Sequence, residues 1–537
     1  MAFTPSPTPD VPPREQWSGQ VGFLLAAIGS AIGLGNIWRF PGVAYQNGGG
    51  AFVVPYVVAL LCVGTPVLLL DYALGHRFRG SAATVFRRLS RRLEWLGWLQ
   101  VGICFIIMAY YAVIVAWSLR YTLFSVNRAW GSDAGAFFTR YIGVRDLPDS
   151  GAPGFSAQPV AGVVIPLLIV WALGIVTIAR GVSDGVEKAN RIFLPLLMVM
   201  FIALVGRALL LPGATTGLNA LFTPDWSALG ESRVWIAAFG QIFFSLSVGF
   251  GIMLTYASYL RRRSNLVGTG MVAAFANSSF EILAGIGVFA TLGFMAHVQG
   301  SSVADLKGIS GVNLSFVTFP TVISQMPGGA LFGVLFFSSF SMAGLTSFIS
   351  IIQMVASSVA EKYSLSTPRA TLVVGLPAAA LSFVLFGTST GLYNLDVVDA
   401  YVNNIGVVGS AILMCVIVGL VLRRLPELQR HLNLVSESRV VGLWWRLLIA
   451  LVVPGLLGFM FVQTFWSYVT KGYSYAHGFE AVFGWGVLGA VLVFAVGLPG
   501  VTRLVRRRRS GEDTQPGDDF RPLDLQALAA AEDEEVN

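Results

Sequence analysis

"GSAIGLGNIWRFP", residues 29–41, lies inside a stretch that otherwise reads as a membrane-spanning helix. Gly29, Gly33, Gly35, Asn36, Arg39 and Pro41 all fall within it. In hydrocarbon an unsatisfied backbone group costs several kcal/mol, so a spanning helix normally avoids such residues. Two readings compete. Small residues four apart can let helices touch, or the helix unwinds where protein or a cavity satisfies its backbone.

Composition identifies the solvent. The chain has 537 residues, 55% hydrophobic and 12% charged, with a mean hydropathy of +0.71. A soluble domain carries about twice that charge, so the bilayer has to cover the apolar surface. The net charge of +7 comes from arginine clusters between apolar runs and does not point to nucleic acid. Cys62, Cys104 and Cys415 sit within apolar runs, with no disulfide framework or metal-ligand spacing. The N-terminal MAFTPSPTPDVPP lacks the order of a cleavable signal peptide.

Apolar runs of about 20 residues or more predict twelve membrane spans. They lie near 17–40, 51–76, 95–126, 161–179, 190–211, 233–260, 266–297, 330–360, 370–387, 395–423, 441–466 and 479–505. The basic residues fall in alternate connections: Arg77 to Arg92 after span two, Lys188 and Arg191 after span four, Arg261 to Arg263 after span six, Arg423 and Arg424 after span ten, Arg503 to Arg509 after span twelve. The positive-inside bias makes that face cytoplasmic, with both termini inside. The outside loop 127–160 reads as a solvated segment, and the acidic tail ending AAAEDEEVN as disordered.

A second irregular span favours unwinding over packing. Span six reads GQIFFSLSVGFGIMLTYASY (240–259), with Ser245, Ser247, Gly249 and Gly251 near its middle. Breaks at corresponding places in two five-helix halves point to an inverted-repeat transporter, whose half-helix ends and freed carbonyls face a central site. The expected fold is an all-α membrane protein with a 5+5 inverted repeat plus two further helices. The expected segments are 1–16 (cytoplasmic), 17–211 and 212–423 (the two repeats), 424–505 (spans eleven and twelve) and 506–537 (cytoplasmic tail). Paired breaks argue against a channel of repeated pore segments. His76, His297, His431 and His477 are isolated along the chain, and no phosphate-binding loop is present, so enzyme chemistry is not expected.

Neutral oxygen donors stand out in otherwise apolar spans: Asn36, Ser245, Asn277, Thr346 and Ser347. Sodium takes oxygen ligands, and unwound carbonyls can supply more. The alternative is that such hydroxyls bond back to their own helix. Glu281, four residues after Asn277 on the same helical face, is a buried acid in a span and a functional candidate.

REQW (14–17), GSAIGLGNIWRFP, NGGGAFVVPY (47–56), GQIFFSLSVGFG (240–251), YASY (256–259), ANSSFEILAG (276–285) and AGLTS (343–347) resemble the neurotransmitter:sodium symporters, in particular the bacterial amino-acid transporters. LDVVDAYVNNIGVV (395–408) extends the likeness into span ten. The resemblance implies two sodium ions. The first would be held by Ala31, Asn36, Ser245 and Asn277 with the substrate carboxylate, and the second by Gly29, Ile32, Ala343, Thr346 and Ser347. It places Ser30, Ala31, Leu34, Gly35, Ile107, Tyr111, Phe244, Ser245, Ser247, Phe250, Ser347, Phe348 and Ile351 around the substrate. Phe348 stands where small residues are frequent, which would narrow the pocket. Arg39 and Asp399 resemble an outer gate, and Arg14, Trp17, Tyr259 and Glu361 a cytoplasmic one, the last with glutamate for the usual aspartate.

In chloride-dependent members, residues like Tyr56, Gln241, Ser245 and Asn277 hold the anion. Here Glu281 supplies a carboxylate in place of a small hydroxyl residue, which implies chloride-independent transport and a route for proton countertransport. Gly33 stands where monoamine carriers have aspartate, so a zwitterionic neutral amino acid is the expected partner. Asp71 reads as structural support. The alternative to import is a sodium-dependent amino-acid sensor in the membrane that does not transport.

Overall fold

The computed structural model describes residues 15–144, 153–156, 158–306, 308–437 and 440–510. Among the described residues, ten uninterrupted helical segments are long and apolar enough to cross a membrane. Two more spans are broken. Span one runs as Gln20–Ala31 and Leu34–Gln46, bent by 50°, and span six as Ser232–Ser245 and Ile252–Ala257. All twelve expected spans are therefore present. Span one outruns its expected end because Pro41, early in the short helix Phe40–Gln46, restarts a helix there.

Burial sorts the spans into layers. Arg91–Asn127 (span three) and Gly329–Tyr363 (span eight) are each buried along 83% of their apolar windows, whereas Leu443–Thr470 and His477–Gly500 (eleven and twelve) reach only 17% and 22%. Spans three and eight pack along one another, with both broken spans set against the same core. Apolar side chains on spans eleven and twelve, such as Val462, Trp466, Val482 and Val493, face outward to lipid.

The breaks form because these residues let the backbone leave the helix and neighbouring side chains take up its polar groups. In span one, Ile32 and Gly33 are extended. The Gly33 N–H donates to its own Asn36 Oδ1 at 2.9 Å, and the Leu34 N–H to the Tyr111 hydroxyl at 3.3 Å. In span six, Ser247, Gly249 and Gly251 have φ of 53°, 80° and 90°, a region cheap for glycine and strained for serine. The Gly249 N–H donates to Asp71 Oδ2 at 3.0 Å. Its carbonyl accepts from Gln100 at 3.0 Å and Ser410 at 2.7 Å. Asp71 thus fills the supporting role expected of it. Asp71→Ala orphans a buried N–H and should cost about 1–3 kcal/mol. Asp71→Asn keeps an acceptor and should lose less. Thermal unfolding of the purified protein checks both.

The loop 127–160 departs from the solvated segment expected. Within it Ala134–Tyr141 is a helix, and Trp130, Ala134, Phe138 and Ile142 are buried. The Phe138 ring stacks on Phe316 at 5.4 Å, and the Trp130 indole N–H donates to Ser324 Oγ at 2.8 Å. Apolar residues on one face of this short helix close the end of span three away from the arginine-rich connection Arg77 to Arg92. Residues 145–152, Arg14 and the acidic tail 511–537 lie outside the described residues.

Candidate functional site

Where the two breaks meet, a cavity of about 130 Å³ opens between spans one, three, six, eight and ten. Ser30, Ala31, Leu34, Gly35, Ile107, Tyr111, Phe244, Ser245, Ser247, Phe250, Ser347 and Ile351 line it, twelve of the thirteen residues expected around the substrate. Phe348 is not in that wall. Its ring is fully buried and packs edge-on against Trp171 of span four at 5.0 Å. Gly174 leaves room for it, since a methyl group there would sit 2.7 Å from the ring. The phenylalanine therefore does not narrow the cavity, and the expectation from its size is corrected. Tyr110, Ile114, Asn403 and Val407 also line the cavity. They were missed because nothing in an apolar run marks which helical face turns inward.

On one side of the cavity lies a chain of amides and hydroxyls. Asn36 Nδ2 donates to Asn277 Oδ1 at 2.9 Å, and Asn277 Nδ2 to Ser245 Oγ. Next to it, Glu281 accepts from Gln241 Nε2 at 2.7 Å and from the Tyr56 hydroxyl. Glu281, Asn277 and Asn36 are each at most 1% exposed. A carboxylate so deep in a span is costly, and these two donors help to hold it.

A second cluster joins spans one and eight. Ser347 Oγ donates to the carbonyls of Ser30 at 3.1 Å and Ile32 at 3.4 Å. Thr346 Oγ1 donates to Ala343 at 3.0 Å. The Gly29 Cα faces Thr346, whose Cβ is 3.5 Å from where a methyl group at position 29 would lie. All five residues expected at the second ion are thereby brought together at the break.

Towards the end away from the arginine-rich connections, the Arg39 guanidinium lies 4.6 Å from the Phe244 ring centroid. Arg39 and Asp399 line the same cavity but make no direct ion pair. Asp399 instead accepts from Asn403 Nδ2 at 2.7 Å. Towards the basic end, the Trp17 indole N–H donates to the Tyr256 carbonyl at 2.9 Å. The Tyr259 hydroxyl meets Ser357 Oγ at 2.7 Å. Glu361 accepts from the Ser81 N–H at 2.9 Å and its hydroxyl at 2.8 Å. Packed aromatic rings thus lie at the basic end, and Arg39 and Asp399 border the cavity at the other.

The model of the sodium:neurotransmitter symporter family matches residues 14–147 and 149–506. The chain belongs to that family. An uncharacterized sodium-dependent transporter of Methanocaldococcus jannaschii is 40% identical over 489 residues, spanning 90% of this chain and 97% of that protein. The sodium-dependent serotonin transporter of Drosophila melanogaster is 32% identical over 373 residues, 65% of this chain and 60% of its own. The crystal structure of MhsT in complex with L-phenylalanine matches with a TM-score of 0.71 and 30% identity, covering 84% of this chain and 100% of that one. As a sodium:neurotransmitter symporter, the chain is a multi-pass membrane protein that couples transport to sodium, and it is not an enzyme.

Proposed function

We propose that the protein imports a neutral amino acid with two sodium ions, independently of chloride, by alternating access. The observation that carries this reading is the meeting of Gly33, Tyr111 and Ser347 at the break in span one. The extended backbone there leads into the N-terminal end of the helix Leu34–Trp38, which attracts an anion. The Tyr111 hydroxyl, already bonded to the Leu34 N–H, is placed to donate to a carboxylate. A zwitterion brings that carboxylate, and with Gly33 in place of an acid, position 33 itself supplies no counter-charge to a bare amine. Leu34, Ile107, Phe244, Phe250 and Ile351 would enclose the side chain. No acid or base stands among them, so charged side chains are disfavoured. The neighbour bound to L-phenylalanine supports an amino-acid substrate.

In this reading Ala31, Asn36, Ser245 and Asn277 hold the first sodium, beside the carboxylates of the substrate and Glu281. Gly29, Ile32, Ala343, Thr346 and Ser347 hold the second. The donor sets fit: they are neutral oxygens, as a hard cation requires. Glu281 contributes the negative charge a bound anion would otherwise bring, and it can take a proton once sodium leaves. Arg39 and Asp399 close the outer side. Trp17, Tyr259 and Glu361, with Arg14, close the cytoplasmic side, which the arginine-rich connections assign to the basic face. The two five-span halves move as an inverted repeat.

Uptake of radiolabelled neutral amino acids into proteoliposomes tests the proposal. Accumulation should follow an inward sodium gradient, stop in potassium, and be unchanged when gluconate replaces chloride. Sodium-dependent binding without accumulation would identify a sensor instead.

A further inference from the structure

Span five carries an asparagine that no part of the transport cycle above uses. Asn190 is fully buried. Its Nδ2 donates to the Val186 carbonyl at 2.9 Å, which fixes the amide and turns the oxygen toward span one. That oxygen has no hydrogen-bond partner. It points at the Cα of Gly29, where a methyl group would collide with it and would stand 3.5 Å from Thr346 Cβ. Asn190 and Thr346 therefore flank the same glycine from two helices. A leucine would fill the position without an orphaned acceptor, so the buried oxygen calls for a partner.

One turn nearer the basic face, Glu187 accepts from the Ser18 N–H at 2.9 Å and pairs with Arg191 at 2.7 Å. It is 2% exposed, and a methyl group at Gly22 would collide with it. Residues 187 and 190 lie on one helical face. Together they form a polar track along span five, from the basic face to the break in span one. Polar side chains at such depth mark ion routes.

We propose that Asn190 belongs to the second sodium site, its carboxamide oxygen facing the ion from the basic-face side, where sodium departs. This rests on the assignment of Gly29, Ile32, Ala343, Thr346 and Ser347 to that ion. The oxygen is an extra acceptor on the exit side, reached because position 29 has no side chain.

The test is binding of radioactive sodium to the purified full-length chain without amino acid. Wild type is compared with Asn190→Leu, Asn190→Asp and Thr346→Ala. Asn190→Leu should raise the half-saturating sodium concentration about tenfold, the usual scale for losing an outer partner of a metal site. Asn190→Asp, which adds a negative charge beside the ion, should lower it several-fold, a gain that a damaged fold cannot produce. If Asn190→Leu does not purify as a single species, Asn190→Asp decides alone. Wild-type sodium binding in both Asn190 variants, with binding weakened in Thr346→Ala, would overturn the proposal and leave the oxygen a packing contact on Gly29. Unchanged binding in Thr346→Ala as well would remove the second-site assignment itself, and the proposal with it.

Discussion

Gly33→Asp should abolish amino-acid uptake while leaving the protein folded. Gly33 has an extended backbone, with φ of −124°, so any residue can adopt its conformation and strain is not the issue. Space and charge are. A Cβ at this position lies 2.9 Å from Ser347 Oγ and 3.1 Å from the Tyr111 hydroxyl. Both are ends of side chains, so the clash is relieved by shifting them rather than the backbone. They are, however, the groups that hold the break: Ser347 bonds the Ser30 and Ile32 carbonyls, and Tyr111 the Leu34 N–H. The aspartate would also place a carboxylate where the substrate's is proposed to sit. Like charges brought together cost several kcal/mol, so uptake should fall on the order of 100-fold or more. Gly33→Ala carries the bulk without the charge and should fall about tenfold. Uptake in proteoliposomes measures the loss, and thermal unfolding within a few degrees of wild type shows the fold intact. Normal uptake by Gly33→Asp would place the substrate elsewhere.

How much of this could be read from residues alone depended on the kind of signal. The spans were legible because burial in lipid demands long apolar runs, and hydrocarbon tolerates little else. The two breaks were legible because Gly33, Gly249 and Gly251 interrupt such runs without another use. The left-handed Ser247 was not, since its hydroxyl donates to the Ser30 carbonyl of span one at 3.3 Å, a contact nothing in its local sequence marks. The side Phe348 takes was hidden for a related reason. One turn of helix separates the cavity from span four, and Gly174, distant in sequence, decides which way the ring goes. The buried pair His76 and His431, with ring nitrogens 2.9 Å apart, joins positions 355 residues apart that nothing in either local sequence connects. The helix Ala134–Tyr141 was overlooked because eight residues give too short a period to separate from a loop. Asn190 was overlooked because one polar residue beside the basic end of a span looks like a boundary.

Glu281→Ser should make transport chloride-dependent, where the proposed function has the wild type indifferent to chloride. The carboxylate sits between the Gln241 amide at 2.7 Å and the Tyr56 hydroxyl. Removing it strands two buried donors and takes a negative charge from beside the proposed first sodium. A cation in a partly buried site loses roughly 2–4 kcal/mol when a neighbouring counter-charge disappears, so sodium-dependent binding in chloride-free buffer should weaken at least tenfold. The serine also leaves space next to those same donors. Chloride can occupy it, accept from both, and restore the charge, so binding should recover as chloride replaces gluconate. Glu281→Gln separates charge from volume: it is equally neutral but fills the space, so it should lose binding and gain nothing from chloride. Binding of labelled amino acid to the three purified proteins, at fixed sodium with chloride varied, decides the matter. Chloride dependence in the wild type would show that Glu281 is not the resident anion. Chloride rescue of Glu281→Gln would show that the anion binds somewhere else. Rescue of the serine variant alone is the result that ties the charge of the site to this one residue.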